Sequence, residues 1–373
     1  DEEEKKICKI IESNDHKATG FFCKIPFPDQ FHLLQVLITN NHVINREDIK
    51  INNKAIELMV YGFGSDGMVT GTKDLATLIG DNTNGYIQLY NKYDSKKSGG
   101  VTISQLRIGK EEIRSSYYID KAHIVVCTKE SYLDKYDIVK SIRKNGVFIL
   151  NTSKEVEELD NKTKYYLAKN EVKTYFIDAS KIASDNGIPN KISAIMEYAI
   201  IGITKVLPVD KAYDMLKESI TNKFGKKSED IVNKNISALD DVESSIKEVE
   251  INPDWINLEV EEKELNGVLE YISHLKGDEL KVSDFIKHDD GTFEVNTSKL
   301  EKRNIAEMLP CWNTEKCITC NNCVMACPHA VIRPKLMTME EVEKNPGIVY
   351  KDVPGSDMKF ALEISYDDCT GCS

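Results

Sequence analysis

Cysteine spacing near the end of the sequence is the feature that most limits what this chain can fold into. The segment reads Cys317-Ile-Thr-Cys320-Asn-Asn-Cys323-Val-Met-Ala-Cys327-Pro, which is the C-x2-C-x2-C-x3-C-P spacing of a cubic iron–sulfur cluster site. Three thiolates on one tight loop can face three irons of one cube, whereas the fourth ligates a second cluster. Zinc is the alternative, but zinc sites use paired C-x2-C knuckles with a longer gap. The spacing therefore predicts 4Fe-4S clusters.

A second, shorter cysteine run, Cys369-Thr-Gly-Cys372, has the opening spacing of the same pattern and is followed only by Ser373. We therefore expect two clusters whose ligand sets are incomplete here, as if the sequence were cut within a two-cluster module. The first would take Cys317, Cys320 and Cys323, and the second would take Cys327, Cys369 and Cys372.

Seven of the ten cysteines lie between Cys311 and Cys372, which indicates a metal site in a reducing compartment rather than disulfides. Cys311 is expected to pack rather than to ligate. Cys8, Cys23 and Cys127 sit in apolar surroundings and are expected to be buried thiols. We expect a cytoplasmic protein, with a hydrogenosome-like organelle as the alternative.

Charge and hydropathy exclude two classes of function. The 49 basic and 61 acidic residues give a net charge of −12, which argues against broad binding of nucleic acid. No apolar run reaches the roughly 18 residues of a membrane span. With 373 residues the chain is long enough for two or three domains.

Between residues 56 and 250, short apolar runs alternate with helical patterns, as in βαβ units on a mostly parallel, doubly wound α/β sheet. Helices are expected over Ser131–Asn145 and Ser153–Asn170, and almost throughout after Ile192. One of the later helices should begin after Pro208 and end at Gly225. The expected strands are Leu58–Tyr61, Tyr86–Tyr90, His123–Cys127, Val147–Leu150 and Thr174–Ile177.

A glycine-rich turn, Gly62-Phe-Gly64-Ser-Asp-Gly67, directly follows the first of these strands and precedes a helix-forming segment, Thr72–Ile79. In G-x-G-x-x-G the glycines let the backbone approach a phosphate, and the start of the helix favours its charge. The motif alone is weak, because a tight strand–helix turn without a ligand fits it equally well.

The loop Tyr93-Asp-Ser-Lys-Lys-Ser-Gly-Gly follows the second strand, and loops at the carboxyl ends of strands meet at the ligand crevice of such sheets. Lys96 and Lys97 suit a polyanionic ligand there, although an exposed basic turn is the alternative. A nicotinamide dinucleotide site would need an acid near this position, for which Asp94 is a candidate.

These motifs resemble the third domain of pyruvate:ferredoxin (flavodoxin) oxidoreductases. The resemblance covers about 57–373, and its matching stretches include Tyr61-Gly-Phe-Gly-Ser-Asp-Gly, the Lys96 loop, Leu106-Arg-Ile-Gly and Cys327-Pro-His-Ala-Val-Ile-Arg-Pro. It implies a coenzyme A-binding α/β domain over 56–250, a connector over 251–305, and a truncated two-cluster ferredoxin-type α+β module over 306–373.

Members of this family oxidatively decarboxylate pyruvate with thiamine diphosphate, transfer the acetyl group to coenzyme A, and pass electrons through 4Fe-4S clusters to ferredoxin or flavodoxin. The resemblance implies a homodimer for the full enzyme. It assigns no catalytic residue to this chain, which lacks the thiamine diphosphate domains and is not expected to turn over pyruvate alone. Its coenzyme A-binding positions would be Gly64, Ser65, Asp66, Gly67, Met68, Lys96, Lys191 and Asn235.

Two of these positions depart from the family pattern. Met68 stands where threonine is usual, which removes a hydroxyl. Lys191 stands where arginine is usual, which keeps the charge but loses the bidentate fork.

Residues 1–55 form a β-rich stub that does not resemble this family. Residues 17–46 resemble the start of a trypsin-like serine protease, in which His42 would be the general base. Ala18 departs from that pattern, and no G-x-S-x-G nucleophile motif is present. We expect a foreign fusion near residues 45–57. The alternative functions are an electron-transfer or binding module without catalysis, a peptidase fragment, and a nicotinamide-dependent dehydrogenase.

Overall fold

The computed structural model describes residues 7–11, 17–26, 33–38, 55–64, 66–94, 100–226, 228–261, 264–300, 302, 304–306 and 308–371. In the first three ranges it describes the backbone alone. These ranges are strands β1 (Ile7–Ile11), β2 (Lys17–Pro26) and β3 (Leu33–Ile38), which pair antiparallel in the order β1-β2-β3. His42 lies outside the described residues.

Residues 56–249, here termed the sheet domain, contain a seven-stranded sheet of order β10-β9-β8-β7-β4-β6-β5. Strands β4, β7, β8 and β9 run parallel, and β6 and β10 pair antiparallel with β4 and β9. The strands are β4 (Ile56–Phe63), β5 (Tyr86–Tyr93), β6 (Val101–Gly109), β7 (Ala122–Cys127), β8 (Ile142–Asn151), β9 (Lys173–Ile177) and β10 (Lys247–Val249).

Helices cover both faces of this sheet, which confirms the predicted doubly wound α/β class. Pro208 directly precedes α6 and Gly225 directly follows it, as the sequence predicts. The helices are α1 (Met68–Asn82), α2 (Tyr132–Lys135), α3 (Asn161–Lys169), α4 (Ala179–Asp185), α5 (Ser193–Thr204), α6 (Val209–Phe224), α7 (Glu229–Asp240) and α8 (Val242–Ser245).

Two hydrophobic cores lie on opposite faces of the sheet because successive strand residues point to opposite sides. Leu58 and Val60 of β4 enter the core under α1 and α5. Met59 and Tyr61 enter the other core, which includes Leu167 of α3. Burial on both faces explains why β4 is apolar from Leu58 to Tyr61.

The helix expected over Ser131–Asn145 is wrong. Only the short α2 is helical; a single 3-10 turn, Val139–Ser141, follows, and β8 begins at Ile142. Ile138, Val139 and Ile142 are buried in the second core, so tertiary packing overrides the local helical pattern. The region Ser153–Asn170 is helical only in part, as a 3-10 turn over Val156–Glu158 and then α3.

After the sheet domain, a connector of 3-10 turns and one short helix, α9 (Gly267–Ser273), precedes the cysteines. Lys276 of this connector lies 3.0 Å from the carboxylate of Asp137 in the sheet domain. No helix in the described part of the chain combines the length and apolar character needed to cross a membrane.

Residues 304–371, here termed the cysteine module, contain a small antiparallel sheet of order β11-β13-β12. Its elements are α10 (Asn322–Ala326), β11 (Ile332–Met337), α11 (Met339–Glu343), β12 (Lys351–Asp352) and β13 (Lys359–Ile364). This combination of small sheet and short helices agrees with the expected α+β module.

Candidate functional site

The glycine-rich turn joins β4 to α1, as its motif predicts. Gly67 directly precedes α1 and has φ +86°, a left-handed conformation that glycine adopts without strain. A Cβ atom on Gly67 would lie 3.1 Å from the hydroxyl oxygen of Ser193. Glycine is therefore required both by the backbone conformation and by the close approach of α5.

The carboxylate of Asp66 braces this turn from inside. It accepts hydrogen bonds from the backbone N–H groups of Phe63 at 2.7 Å and Met68 at 2.8 Å, and from the Thr128 hydroxyl at 2.7 Å. Burial raises the pKa of Asp66, and these three donors oppose the rise. The Asp66 carboxylate is therefore engaged by hydrogen-bond donors of the protein itself.

A cavity of about 450 Å³ opens beside the turn, at the carboxyl end of β4. This is the edge at which ligands of α/β sheets bind, and the first peptide N–H groups of α1 lie there. Asp94 and Gly100, which belong to the loop that carries Lys96, both line the cavity. The full lining is Phe63, Gly64, Asp66, Gly67, Val69, Tyr93, Asp94, Gly100, Val101 and Thr102.

The cavity brings together three of the sequence-predicted residues: Gly64, Asp66 and Gly67. Ser65 and Lys96 lie outside the described residues. Lys191 is exposed and precedes Ser193, the α5 residue that contacts the turn, by two positions.

Two other predicted positions are not among the described residues that line the cavity. The Met68 side chain is buried in the first core, which explains how an apolar residue is accommodated there. Asn235 on α7 is also buried, and its amide donates to the carbonyl oxygen of Ile231 at 2.8 Å.

Sequence reasoning missed three residues near the cavity. Phe63 supplies an aromatic wall, and the Lys129 ammonium lies 5.8 Å from the centre of its ring. Ser193 contacts the glycine turn. Lys129 follows the carboxyl end of β7, so the crevice rule that selected the Lys96 loop also selects Lys129.

The cysteine loop has a backbone suited to anionic sulfur. Thr319, Asn321 and Ala330 have φ values of 57°, 60° and 51°, and alternation of left-handed residues turns successive N–H groups toward a common concavity. The Thr319 N–H donates to the Cys317 sulfur at 3.4 Å. Burial raises the pKa of Cys327, but backbone N–H donors led by that of Val331 outweigh it and lower the pKa.

Polar side chains also lie beside the cysteines. Hydrogen bonding by the Trp312 indole N–H lowers the pKa of the Cys317 thiol. Asn321 Oδ1 and Thr370 Oγ1, each next in sequence to a cysteine, are buried without described partners. The Thr370 hydroxyl can donate to a sulfur, whereas the Asn321 oxygen can only accept.

No three His, Cys, Asp or Glu side chains within the described residues converge on one metal position. Cys320 and Cys323 are exposed, Cys317 and Cys327 are partly buried, and Cys369 is buried. Cys372 lies outside the described residues. The thiols and the backbone N–H groups that donate to Cys317 and Cys327 nevertheless fit iron–sulfur ligation.

Three family models match the chain in succession. Residues 57–242 match the model for pyruvate ferredoxin/flavodoxin oxidoreductase, residues 262–306 match a domain of unknown function, and residues 316–373 match the 4Fe-4S dicluster domain. The last match supports iron–sulfur clusters as cofactors.

Two curated relatives are similar over most of the chain. The pyruvate:ferredoxin oxidoreductase of Moorella thermoacetica is 42% identical over 328 residues, and the pyruvate-flavodoxin oxidoreductase of Enterobacter agglomerans is 40% identical over 325. Each alignment covers 84% of this chain and 28% of the relative. A solved pyruvate oxidoreductase subunit, PORC from Thermotoga maritima, matches 53% of this chain and 100% of that chain with 22% identity and a TM-score of 0.44. The chain belongs to the pyruvate:ferredoxin/flavodoxin oxidoreductase family and spans 28% of the length of these two relatives.

Proposed function

We propose that this chain supplies the coenzyme A-binding part and some of the electron-transfer part of an enzyme that oxidatively decarboxylates pyruvate to acetyl-CoA. Ferredoxin or flavodoxin would accept the electrons, as the names of the relatives indicate for those proteins. The observation that carries the proposal is the presence, in one chain, of a glycine-turn cavity and a cluster-type cysteine loop.

The cavity suits the phosphates of coenzyme A. The Met68 N–H is engaged by Asp66, but the rest of the first turn of α1 presents N–H groups and the positive end of the helix dipole, and Gly67 lets the backbone approach closely. Lys129 and Lys191 are the described lysines that would supply charge, with Lys96 from the adjacent loop. Because three donors already engage Asp66, its carboxylate does not oppose an anion as a free charge would.

In the cysteine module, Cys317, Cys320 and Cys323 would hold one 4Fe-4S cluster, and Cys327, Cys369 and Cys372 would contribute to a second. When bound, such clusters carry single electrons. The chain's own contribution is to provide thiolates and to direct the N–H groups of Thr319 and Val331 toward the sulfurs. Hydrogen bonds to ligand sulfur tune the reduction potential of such sites.

The remaining parts of the proposal concern the full enzyme. Thiamine diphosphate and pyruvate would bind outside this chain, and the full enzyme would be a homodimer. We place it in the cytoplasm, with a hydrogenosome-like organelle as the alternative. A stand-alone electron-transfer module would contain clusters but would not bind coenzyme A. The comparisons do not favour the peptidase, and titration with NAD tests the nicotinamide-dependent dehydrogenase.

Calorimetric titration of the anaerobically reconstituted chain with coenzyme A, and separately with NAD, tests the coenzyme A assignment. We expect coenzyme A to bind and Gly67→Ala to weaken it strongly, since alanine is strained at φ +86° and meets Ser193. Gly202→Ala is the matched control, because a Cβ at Gly202 meets nothing within 4 Å. Tighter binding of NAD than of coenzyme A, or equal affinities in the two variants, would contradict the proposal.

A further inference from the structure

Helix α1 begins at the cavity, and α5 lies against it in a parallel register. Ser193 at the start of α5 contacts Gly67 at the start of α1. One turn further along both helices, Glu197 contacts Gly71: a Cβ atom there would lie 2.7 Å from Glu197 Oε1 and 3.3 Å from both Cγ and Cδ. Glycine at both α1 positions removes the side chains that would hold α5 away.

Glu197 is an unusual residue to find between two helices. It is 3% exposed, and burial, the sole cause acting on it, raises its pKa well above the ordinary value. No charged group on any helix packed against α5 shifts it in the described part of the chain. Burial therefore favours the protonated form of this carboxyl group, because an unpaired buried charge is costly.

We propose that Glu197 is a positioning residue for the cavity: its buried carboxyl group packs on Gly71 and holds the start of α5, with Lys191 and Ser193, against the Gly67 turn. The inference rests on the proposed function, in which the cavity takes coenzyme A. Glu197 does not line the cavity, so its influence on the ligand passes through α5.

The side chain that this contact requires is long and uncharged. Glutamine has the same shape as protonated glutamate and would keep the contact. Alanine would leave a gap between the helices into which α5 can shift, and a small loss of preorganisation weakens binding. Alanine at Gly71 would crowd Glu197, and truncation of Glu197 in the same chain would relieve the crowding.

Hydrogen exchange measured by mass spectrometry on the full reconstituted chain tests the positioning directly, without coenzyme A. We expect Glu197→Ala to speed exchange in peptides covering 66–71 and 191–196, whereas Glu197→Gln leaves them protected. Peptides of β8 should exchange alike in both variants. Unchanged exchange at both helix starts in Glu197→Ala would overturn the proposal, as would equally fast exchange in β8, which would indicate global destabilisation.

Coenzyme A titration supplies the second measurement. We expect Glu197→Ala to weaken binding roughly tenfold and Glu197→Gln to stay near the wild type. Gly71→Ala should weaken binding more in the Glu197 background than in the Glu197→Ala background. If the wild type binds coenzyme A and Glu197→Ala binds it equally well, the positioning role is wrong. If the wild type does not bind it, the proposed function fails, and hydrogen exchange alone decides the role of Glu197.

Discussion

The sheet domain and the cysteine module differ in what their side chains bury. In the sheet domain, large side chains such as Leu58, Phe148 and Leu167 are fully buried, in cores on both faces of the sheet. In the cysteine module, large apolar side chains lie in solvent: Ile318 is 80% exposed and Met325 is 86% exposed.

This difference indicates the source of each region's stability. Apolar burial contributes roughly 1.5–3 kcal/mol for each large side chain that is fully buried, so the sheet domain has an ample source of its own. The cysteine module is too small and too exposed for that source. We therefore expect its folding to depend on metal ligation, which couples binding free energy to folding.

The largest expected effect is the loss of a cluster from the cysteine module. Cys320 is exposed, so Cys320→Ala removes a cluster ligand without disturbing apolar packing. We expect a large fall in bound iron and in the visible absorption of the reconstituted chain. Cys311→Ala, which is also exposed, is the control and should retain its iron. Equal iron contents in the two variants would show that the C-x2-C-x2-C run does not ligate.

The next prediction compares the loss of stability when a buried apolar side chain is truncated with the loss when an exposed one is truncated. Phe148 is fully buried, so Phe148→Ala should lower the free energy of unfolding by about 3–5 kcal/mol. Ile318→Ala in the cysteine module should change it by no more than about 0.5 kcal/mol. Urea denaturation measures both. A large loss for Ile318→Ala would mean that this side chain is covered in solution.

A smaller effect is expected at the glycine turn. Asp66→Asn replaces an acceptor of three hydrogen bonds with an amide that cannot accept them all, so it should cost about 1–3 kcal/mol of stability. The matched control is Asp81→Asn on the exposed side of α1, which should have no measurable effect. If Asp66→Asn is as stable as the control, the carboxylate does not brace the turn.

The smallest effect concerns Asp137, where the connector meets the sheet domain. Burial raises the pKa of Asp137, but hydrogen bonds from Lys162 and Lys276 outweigh it and lower the pKa to about 2. Because the folded pKa lies below the unfolded value, this stabilisation is present above pH of about 4 and is lost as pH falls toward 2. After screening by solvent, we expect about 1 kcal/mol.

Asp137→Asn should therefore destabilise the iron-free chain near neutral pH and flatten its acid limb. Trp255 fluorescence in a Trp312→Phe background follows the sheet domain, since Trp255 packs against its second core. Asp185→Asn removes an exposed ion pair with Lys181 and serves as the control. An acid limb of unchanged slope in Asp137→Asn would show that this carboxylate does not account for it.

The sequence predicted the parts of the fold that are set by local pattern. The five expected strands lie within observed strands. Two-sided burial makes the runs of β4, β7 and β8 apolar, whereas β5 at the edge of the sheet exposes Tyr86 and Tyr90.

The sequence did not single out β6, in which Thr102, Ser104 and Arg107 are buried. The Ser104 hydroxyl accepts a hydrogen bond from Thr72, 32 positions away. Arg107 lies 3.1 Å from Glu57. A polar residue gives no sign in the sequence of a partner fifty positions away.

The candidate site was predictable to a similar extent. The turn around Gly67 follows from its motif, and the predicted cluster ligands follow from cysteine spacing. The contact between Ser193 and Gly67 depends on how α5 packs on α1. Local sequence does not encode that packing, so the role of Glu197 became visible only in the folded chain.

Unfolding of the two regions with and without iron tests most directly whether only the cysteine module depends on iron for its folding. Each region is in contact with one of the two tryptophans: Trp255 of the connector packs on the second core of the sheet domain, and Trp312 lies edge-on to Phe360 in the cysteine module. Single-tryptophan chains report each region separately during urea denaturation. We predict that iron chelation abolishes the Trp312 transition and leaves the Trp255 transition almost unchanged. A cooperative Trp312 transition that survives chelation would show that the cysteine module folds without iron.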